Sequence, residues 1–117
     1  MNGNTRREGV GGEVLAAEYL KSIGYKILDT NFSGCGGEID IIARDGDYIV
    51  FVEVKARQSL KFGRPIESVT PSKTKSIARA AELYAASKSL FGKDMRFDVI
   101  EILRGEITHI KNAFDAC

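Results

Sequence analysis

The sequence predicts an α/β domain in which helices flank a mixed central sheet, and three observations carry that expectation. Apolar residues recur with helical period over residues 9–23 and again over 70–90. Residues 25–32, 38–43, 48–56, 95–103 and 106–114 are runs of strand-forming residues bounded by turn formers. Their order, helix, three strands, helix, two strands, suits helices packed about a single sheet.

The first seven residues are polar and expected to be mobile. In the first helix Leu15, Ala16, Tyr19, Leu20 and Ile23 fall on one face, with Gly24 as the stop. On a wheel of about 100° per residue Glu18 lies opposite that face, whereas Glu13 lies on its border. Glu13 is then either a first-turn acid favoured by the helix dipole or a carboxylate looking along the core edge toward the sheet. After the first strand, residues 33–37 read SGCGG and are expected to form a flexible loop. Residues 58–69 read as a second, basic loop of a length that suits function or mobility. Thr70-Pro71 is an N-cap and first-turn signature, and the helix behind it should bury Ile77, Ala78, Ala80, Ala81, Tyr84 and Ala85 while wetting Lys75, Arg79 and Glu82. Lys73 sits in its first turn, on the side nearer the apolar stripe. The single histidine, His109, has no histidine or cysteine partner nearby in sequence, so no metal role is expected for it.

At 117 residues the chain is expected to form one domain over residues 1–117, with a core large enough to need no staples. Its 28% charged and 44% hydrophobic residues are those of an ordinary globular protein. No run approaches the roughly 20 apolar residues that cross a bilayer, and MNGNTRREG lacks the apolar centre of a signal peptide, so a cytoplasmic location without a membrane partner is expected. Cys35 and Cys117 are read as free thiols. The formal net charge of +1 hides an uneven distribution: residues 55–96 carry ten basic and three acidic side chains. That stretch is either a solvated face or a phosphate-facing surface.

Residues 37–57, GEIDIIARDGDYIVFVEVKAR, hold the anomaly that organises the functional reading. Asp45-Gly46 is a strong hairpin signal between two apolar strands. With those two residues as the loop, Arg44 faces Asp47, Asp40 lies opposite Phe51, and Glu38 lies opposite Glu53. Alternation then projects Glu38, Asp40, Glu53 and Lys55 from one face, with Asp40 and Glu53 diagonal neighbours roughly 7–8 Å apart. A bulge or a three-residue loop would move Asp40 to the other face. Charged side chains in strands of Ile, Val and Phe need water, a partner or an ion. Glu53 and Lys55 are therefore either an exposed pattern on a half-wet sheet or part of a metal site. In the second case Asp40 and Glu53 would share Mg²⁺ or Mn²⁺, Lys55 would orient a water or stabilise charge on phosphorus, and Glu13 could add a third carboxylate. Arg57, Lys61, Arg64 and Lys73 would hold the phosphates of a nucleic acid.

Glu13 in an N-terminal helix, Gly37-Glu38-Ile39-Asp40, and Phe51-Val52-Glu53-Val54-Lys55-Ala56-Arg57 together resemble the PD-(D/E)XK nuclease superfamily. More closely, the chain resembles the bacterial YraN-like family, which is similar to archaeal Holliday junction resolvases. The likeness extends to Asn31, Phe62-Gly63, Lys73 and Arg96-Phe97-Asp98, and departs at Ile39, where the superfamily has proline. It implies an αβββαβ restriction-endonuclease-like core, with Asp40, Glu53 and Lys55 as the catalytic set and Glu13 as the upstream acid. The implied activity is metal-dependent hydrolysis of DNA phosphodiester bonds, branched or flapped DNA included. The alternative is a nucleic-acid-binding or adaptor protein that keeps the fold and does not cut. A junction substrate would call for two sites and hence a symmetric homodimer.

Overall fold

A computed structural model describes residues 4–57, 70–90 and 92–114. Its elements are α1 (Asn4–Ser22), β1 (Lys26–Gly34), β2 (Gly37–Asp45), β3 (Tyr48–Arg57), α2 (Pro71–Ser87), β4 (Asp94–Leu103) and β5 (Glu106–Ile110). This is the expected order around one five-stranded mixed sheet, arranged β1-β2-β3-β4-β5. Only β3 and β4 run parallel; the other three pairs are antiparallel. The parallel pair requires a crossover, which α2 supplies.

Alternation along β3 divides the core into two layers. Ile49 and Phe51 pack beneath α2 with Ile77, Ala81, Tyr84 and Phe97, whereas Val50 and Val52 pack beneath α1 with Ala16, Leu20, Ile100 and Ile102. The second helix starts where expected: the Thr70 side chain accepts a hydrogen bond from the Lys73 backbone N–H at 3.3 Å, and Pro71 occupies the first turn. All six residues assigned to its inner face are buried.

The first helix differs from the sequence expectation. It begins at Asn4, within the stretch expected to be mobile, and Leu15 and Ile23 are 47% and 43% exposed. Ala16 and Leu20 of the expected face are fully buried, and with Gly12 they form a ridge spaced four apart. Small residues let this ridge lie close on the sheet: a Cβ on Gly12 would stand 3.1 Å from the Ala56 Cβ. Tyr19 stays half-buried because its hydroxyl meets His109.

Residues 33–37 do not form the expected loop. β1 continues through Gly34, β2 starts at Gly37, and these two glycines pair across a two-residue turn in which Cys35 and Gly36 both have positive φ, 53° and 79°. Positive φ at both central positions matches the hairpin turn whose twist suits paired strands. The neighbouring glycines serve helix packing. A Cβ on Gly37 would fall 2.2 Å from the Ser76 carbonyl oxygen, and one on Gly34 would fall 2.4 Å from a Leu83 methyl. Gly37→Ala should therefore push the N-terminal turns of α2 off the sheet and cost about 1–3 kcal/mol, as overpacked sites do, read as a lowered midpoint of thermal or urea unfolding. An unchanged midpoint would show that the helix is not pinned there.

At the other end of the sheet β5 stops at Ile110, four residues short of expectation. The Ala113 N–H then bonds the Phe97 carbonyl at 2.7 Å, and Phe114 stacks on Phe97 at 5.1 Å. No helix is long and apolar enough to cross a membrane among the described residues.

Candidate active site

The β2–β3 hairpin positions the acidic cluster, but in a register that corrects the sequence reading. Asp45 pairs with Tyr48 and Ile42 with Phe51, so the loop residues are Gly46 and Asp47, not Asp45 and Gly46. Gly46 alone of the two has positive φ, 60°, which only a glycine adopts freely. The slip is even-numbered, so by itself it leaves side chains on their faces. Its consequence is that Asp40 no longer lies opposite Phe51 or diagonal to Glu53: continuing the ladder sets Asp40 directly across from Glu53.

The ladder itself ends at Ile41–Val52. Alternation in β2 breaks at the same place, since Ile39 and Ile42 both pack under α2 while Ile41 and Ala43 pack under α1. Asp40 turns into the opening, and its carboxylate accepts the Val54 backbone N–H at 2.8 Å. A side chain thus supplies an acceptor just past the last β2–β3 pair, which locks Asp40 against β3. Glu53 and Lys55 alternate with the α1-facing Val52 and Val54, so they project toward α2. Lys55 Nζ lies 3.2 Å from Glu53 Oε2, with the side chains 20% and 13% exposed. Such shielding removes the exposed-pattern reading of the pair.

A cleft of about 1060 Å³ opens over this cluster. Glu13, Glu38, Asp40, Glu53, Lys55, Arg57 and Lys73 contribute its charged lining, with Ser33, Ser72 and Ser76 among the polar remainder. Of the sequence-derived candidates, Glu13, Asp40, Glu53, Lys55, Arg57 and Lys73 are therefore brought together; Lys61 and Arg64 lie outside the described residues, as does Cys117. Glu13 reaches the cleft from the border of α1, the position read from the helical wheel. Burial and the Asp40 charge raise its pKa, against a lowering hydrogen bond from Asn31, and Glu38 adds to the rise. Asn31 was visible in the sequence only as part of the likeness. Its φ of 54° and its place in β1 beside Asp40 are what direct it here.

The electrostatics of the centre are those of crowded carboxylates. Burial and then the charge of Asp40 push the Glu53 carboxyl up to about 7, with Lys55 pulling the other way. Asp40 and Glu53 are close enough for a protonated Glu53 to donate to Asp40. Burial opposes the charge on Lys55, yet its contacts with Lys73 and with Glu53 outweigh that and raise its pKa. Lys73 moves down, chiefly through its contact with Lys55 and then through burial.

Such a donor set fits a hard divalent cation. Mg²⁺ usually takes one or two protein carboxylates and leaves its other positions to water and substrate oxygens. Asp40 and Glu53 could supply that pair, and a cation would offset the burial and the Asp40 charge that raise the Glu53 pKa. Among the described residues no set of three His, Cys, Asp or Glu side chains is gathered in ligand geometry.

Outside the cleft lies a buried polar network that the sequence did not disclose. Asp98 is fully buried and accepts from Arg96 Nε and Nη2 at 2.9 and 3.0 Å and from the Asn112 N–H at 3.0 Å, and it bonds His109 Nε2 at 2.7 Å. Arg96 also reaches Asp45 and the Tyr25 hydroxyl, and its guanidinium stands over the rings of Tyr25 and Tyr48. His109, set aside as a metal ligand, is placed here as a structural partner.

A five-stranded mixed sheet flanked by two helices, with a carboxylate pair and a lysine at the opening between β2 and β3, defines an α/β protein with a restriction-endonuclease-like core. Residues 12–102 match the model of the uncharacterised protein family UPF0102, and the chain belongs to that family. Relatives bearing the family name include one from Persephonella marina, 46% identical over 108 residues, covering 92% of this chain and 93% of the relative. Another, from Syntrophomonas wolfei, is 48% identical over 113 residues, covering 93% and 98%. A third, from Geotalea daltonii, is 49% identical over 109 residues, covering 89% and 86%.

Proposed function

We propose that this chain is a Mg²⁺- or Mn²⁺-dependent endonuclease that hydrolyses DNA phosphodiester bonds, with branched or flapped DNA among its substrates. The observation that carries the reading is the shielded triad of Asp40, Glu53 and Lys55 in one open cleft. A divalent ion bound there would supply Lewis acidity toward the phosphate and lower the pKa of a bound water. Asp40, fixed by the Val54 N–H, and Glu53 would hold the ion. Lys55, paired with Glu53, orients the attacking water and offsets charge that grows on the phosphoryl oxygens. Arg57 and Lys73, with Lys61 and Arg64 outside the described residues, hold substrate phosphates.

The test is incubation of single-stranded, duplex and branched DNA with Mg²⁺ or Mn²⁺, using wild type, Asp40→Ala and Lys55→Ala. The reading expects cleavage by wild type and its loss in both variants. Failure of wild type to cut any of these DNAs, or equal cutting by the variants, would sink it.

A second reading, a nucleic-acid binder that does not cut, draws on the net +7 of residues 55–96 and on the absence of a third carboxylate in ligand geometry among the described residues. It expects binding that weakens on the order of 10³-fold between about 50 and 200 mM salt if six or more phosphates are contacted, with no dependence on Asp40.

A further inference from the structure

Lys55 and Lys73 come from different elements, β3 and the first turn of α2, yet they converge so that each amine perturbs the other's protonation. Both line the same cleft. The approach is built in. The Thr70 cap holds the Lys73 backbone N–H, and the missing Cβ of Gly37 lets α2 press onto β2 three residues before Asp40. Two ammonium groups have donors only and cannot bond one another. Their repulsion is offset in part by Glu53 Oε2, 3.2 Å from Lys55, and the two amines keep donors free for a further anionic oxygen between them. In a cleft that already holds Asp40 and Glu53, an oxygen on a phosphorus atom is the anion that such a pair would fit.

We propose that Lys55 and Lys73 form one site for a single non-bridging oxygen of the scissile phosphate, which makes Lys73 a second catalytic lysine and not a remote phosphate anchor. The proposal rests on the nuclease reading and narrows it. In hydrolysis the water oxygen bonds to phosphorus, the bond from phosphorus to the leaving sugar oxygen breaks, and the proton lost by water ends on that oxygen through solvent. The products are a phosphomonoester and an alcohol. Neither lysine changes its proton count; both donate to the non-bridging oxygen as its charge grows, so their effect belongs to the transition state.

Two measurements on the full chain test this. In the first, Lys73→Met should lower kcat about 10²-fold with KM nearly unchanged, and Lys55→Met/Lys73→Met should be little worse than Lys55→Met alone, since residues acting as a unit are non-additive. Lys73 is exposed and its cap is a backbone contact, so the variant should unfold at the wild-type midpoint. A raised KM with unchanged kcat, or no effect, would overturn the proposal while leaving the nuclease reading intact. The second measurement needs no turnover. Inorganic phosphate, added to Mg²⁺-saturated protein, should shift the Nζ resonances of Lys55 and Lys73 with one common midpoint, and Lys73→Met should weaken that midpoint about tenfold. A response from both lysines in a protein that cuts no DNA would retain the shared oxygen site and discard the nuclease reading. A response from one lysine only, or from neither, would overturn the shared site.

Discussion

Glu53→Gln should make the chain more stable at about pH 8 while abolishing its response to divalent cations. The sign follows from the proton. Glu53 ionises near 7 in the fold instead of near its ordinary 4.5, because burial and Asp40 disfavour the charged form. The folded state therefore holds a proton that the unfolded state has released. The stability tied to that proton is whole below about 4.5, declines as pH rises toward about 7, and is gone above it. At 1.36 kcal/mol per pKa unit the loss is on the order of 3 kcal/mol. Glutamine cannot ionise, so the variant should lose this decline and equal wild type only in acid. Saturating Mg²⁺ should reverse the ranking, because an ion that binds the folded wild type adds stability by mass action and finds one carboxylate fewer in the variant. Melting curves at about pH 5 and pH 8, with chelator or Mg²⁺, read all four conditions. Parallel pH profiles for the two proteins would mean that Glu53 is not held near neutrality. A Mg²⁺ shift retained by Glu53→Gln would remove it from the metal pair.

The carboxylate cluster was legible because sheet alternation tolerates an even error. Reading Asp45-Gly46 as the loop displaced the register from the observed Asp45–Tyr48 pairing, yet Asp40, Glu53 and Lys55 stayed on one face. What the period could not carry was the break at Asp40, where the ladder ends and a side chain bonds the Val54 N–H. Residues 33–37 misled for a related reason. Glycine marks a loop, a positive-φ turn and a close helix approach equally well, and here Gly36 is the second while Gly34 and Gly37 are the third. The face read on the first helix was right at Ala16 and Leu20 and wrong at its large edge residues Leu15 and Ile23, because the side that approaches the sheet closely is the one carrying Gly12 and Ala16. Contacts between residues far apart in the chain, such as Lys55 with Lys73 or Tyr19 with His109, leave no periodic trace at all.

The same limit hid Asp98, whose removal should be the most destabilising single change outside the site. Its carboxylate has no exposed surface and satisfies two Arg96 donors and the Asn112 N–H while bonding His109. Those partners bind β4 to β5 and to the chain beyond it, and through Arg96 to Asp45 and Tyr25 at the ends of β2 and β1. Burial alone would raise the pKa of Asp98, but His109, Arg96 and the Asn112 N–H together lower it below its ordinary 3.8. Stability from this carboxylate is therefore present above about 3.8 and lost as pH falls through the lowered value. Asp98→Ala leaves a guanidinium and an imidazole buried without their partner, and breaking a buried pair in this way costs about 3–5 kcal/mol. Against the roughly 5–15 kcal/mol that holds a domain together, that loss is a large fraction of the total. Asp98→Asn keeps an acceptor for the Asn112 N–H but not the charge, so its loss should be smaller. Urea denaturation of wild type and both variants gives the comparison, and adding His109→Ala closes a cycle whose coupling should reach about 1–3 kcal/mol. An Asp98→Ala loss below about 1 kcal/mol would mean that the network contributes no more than an exposed ion pair. The Arg96-Phe97-Asp98 run would then belong to the family likeness without supporting the fold.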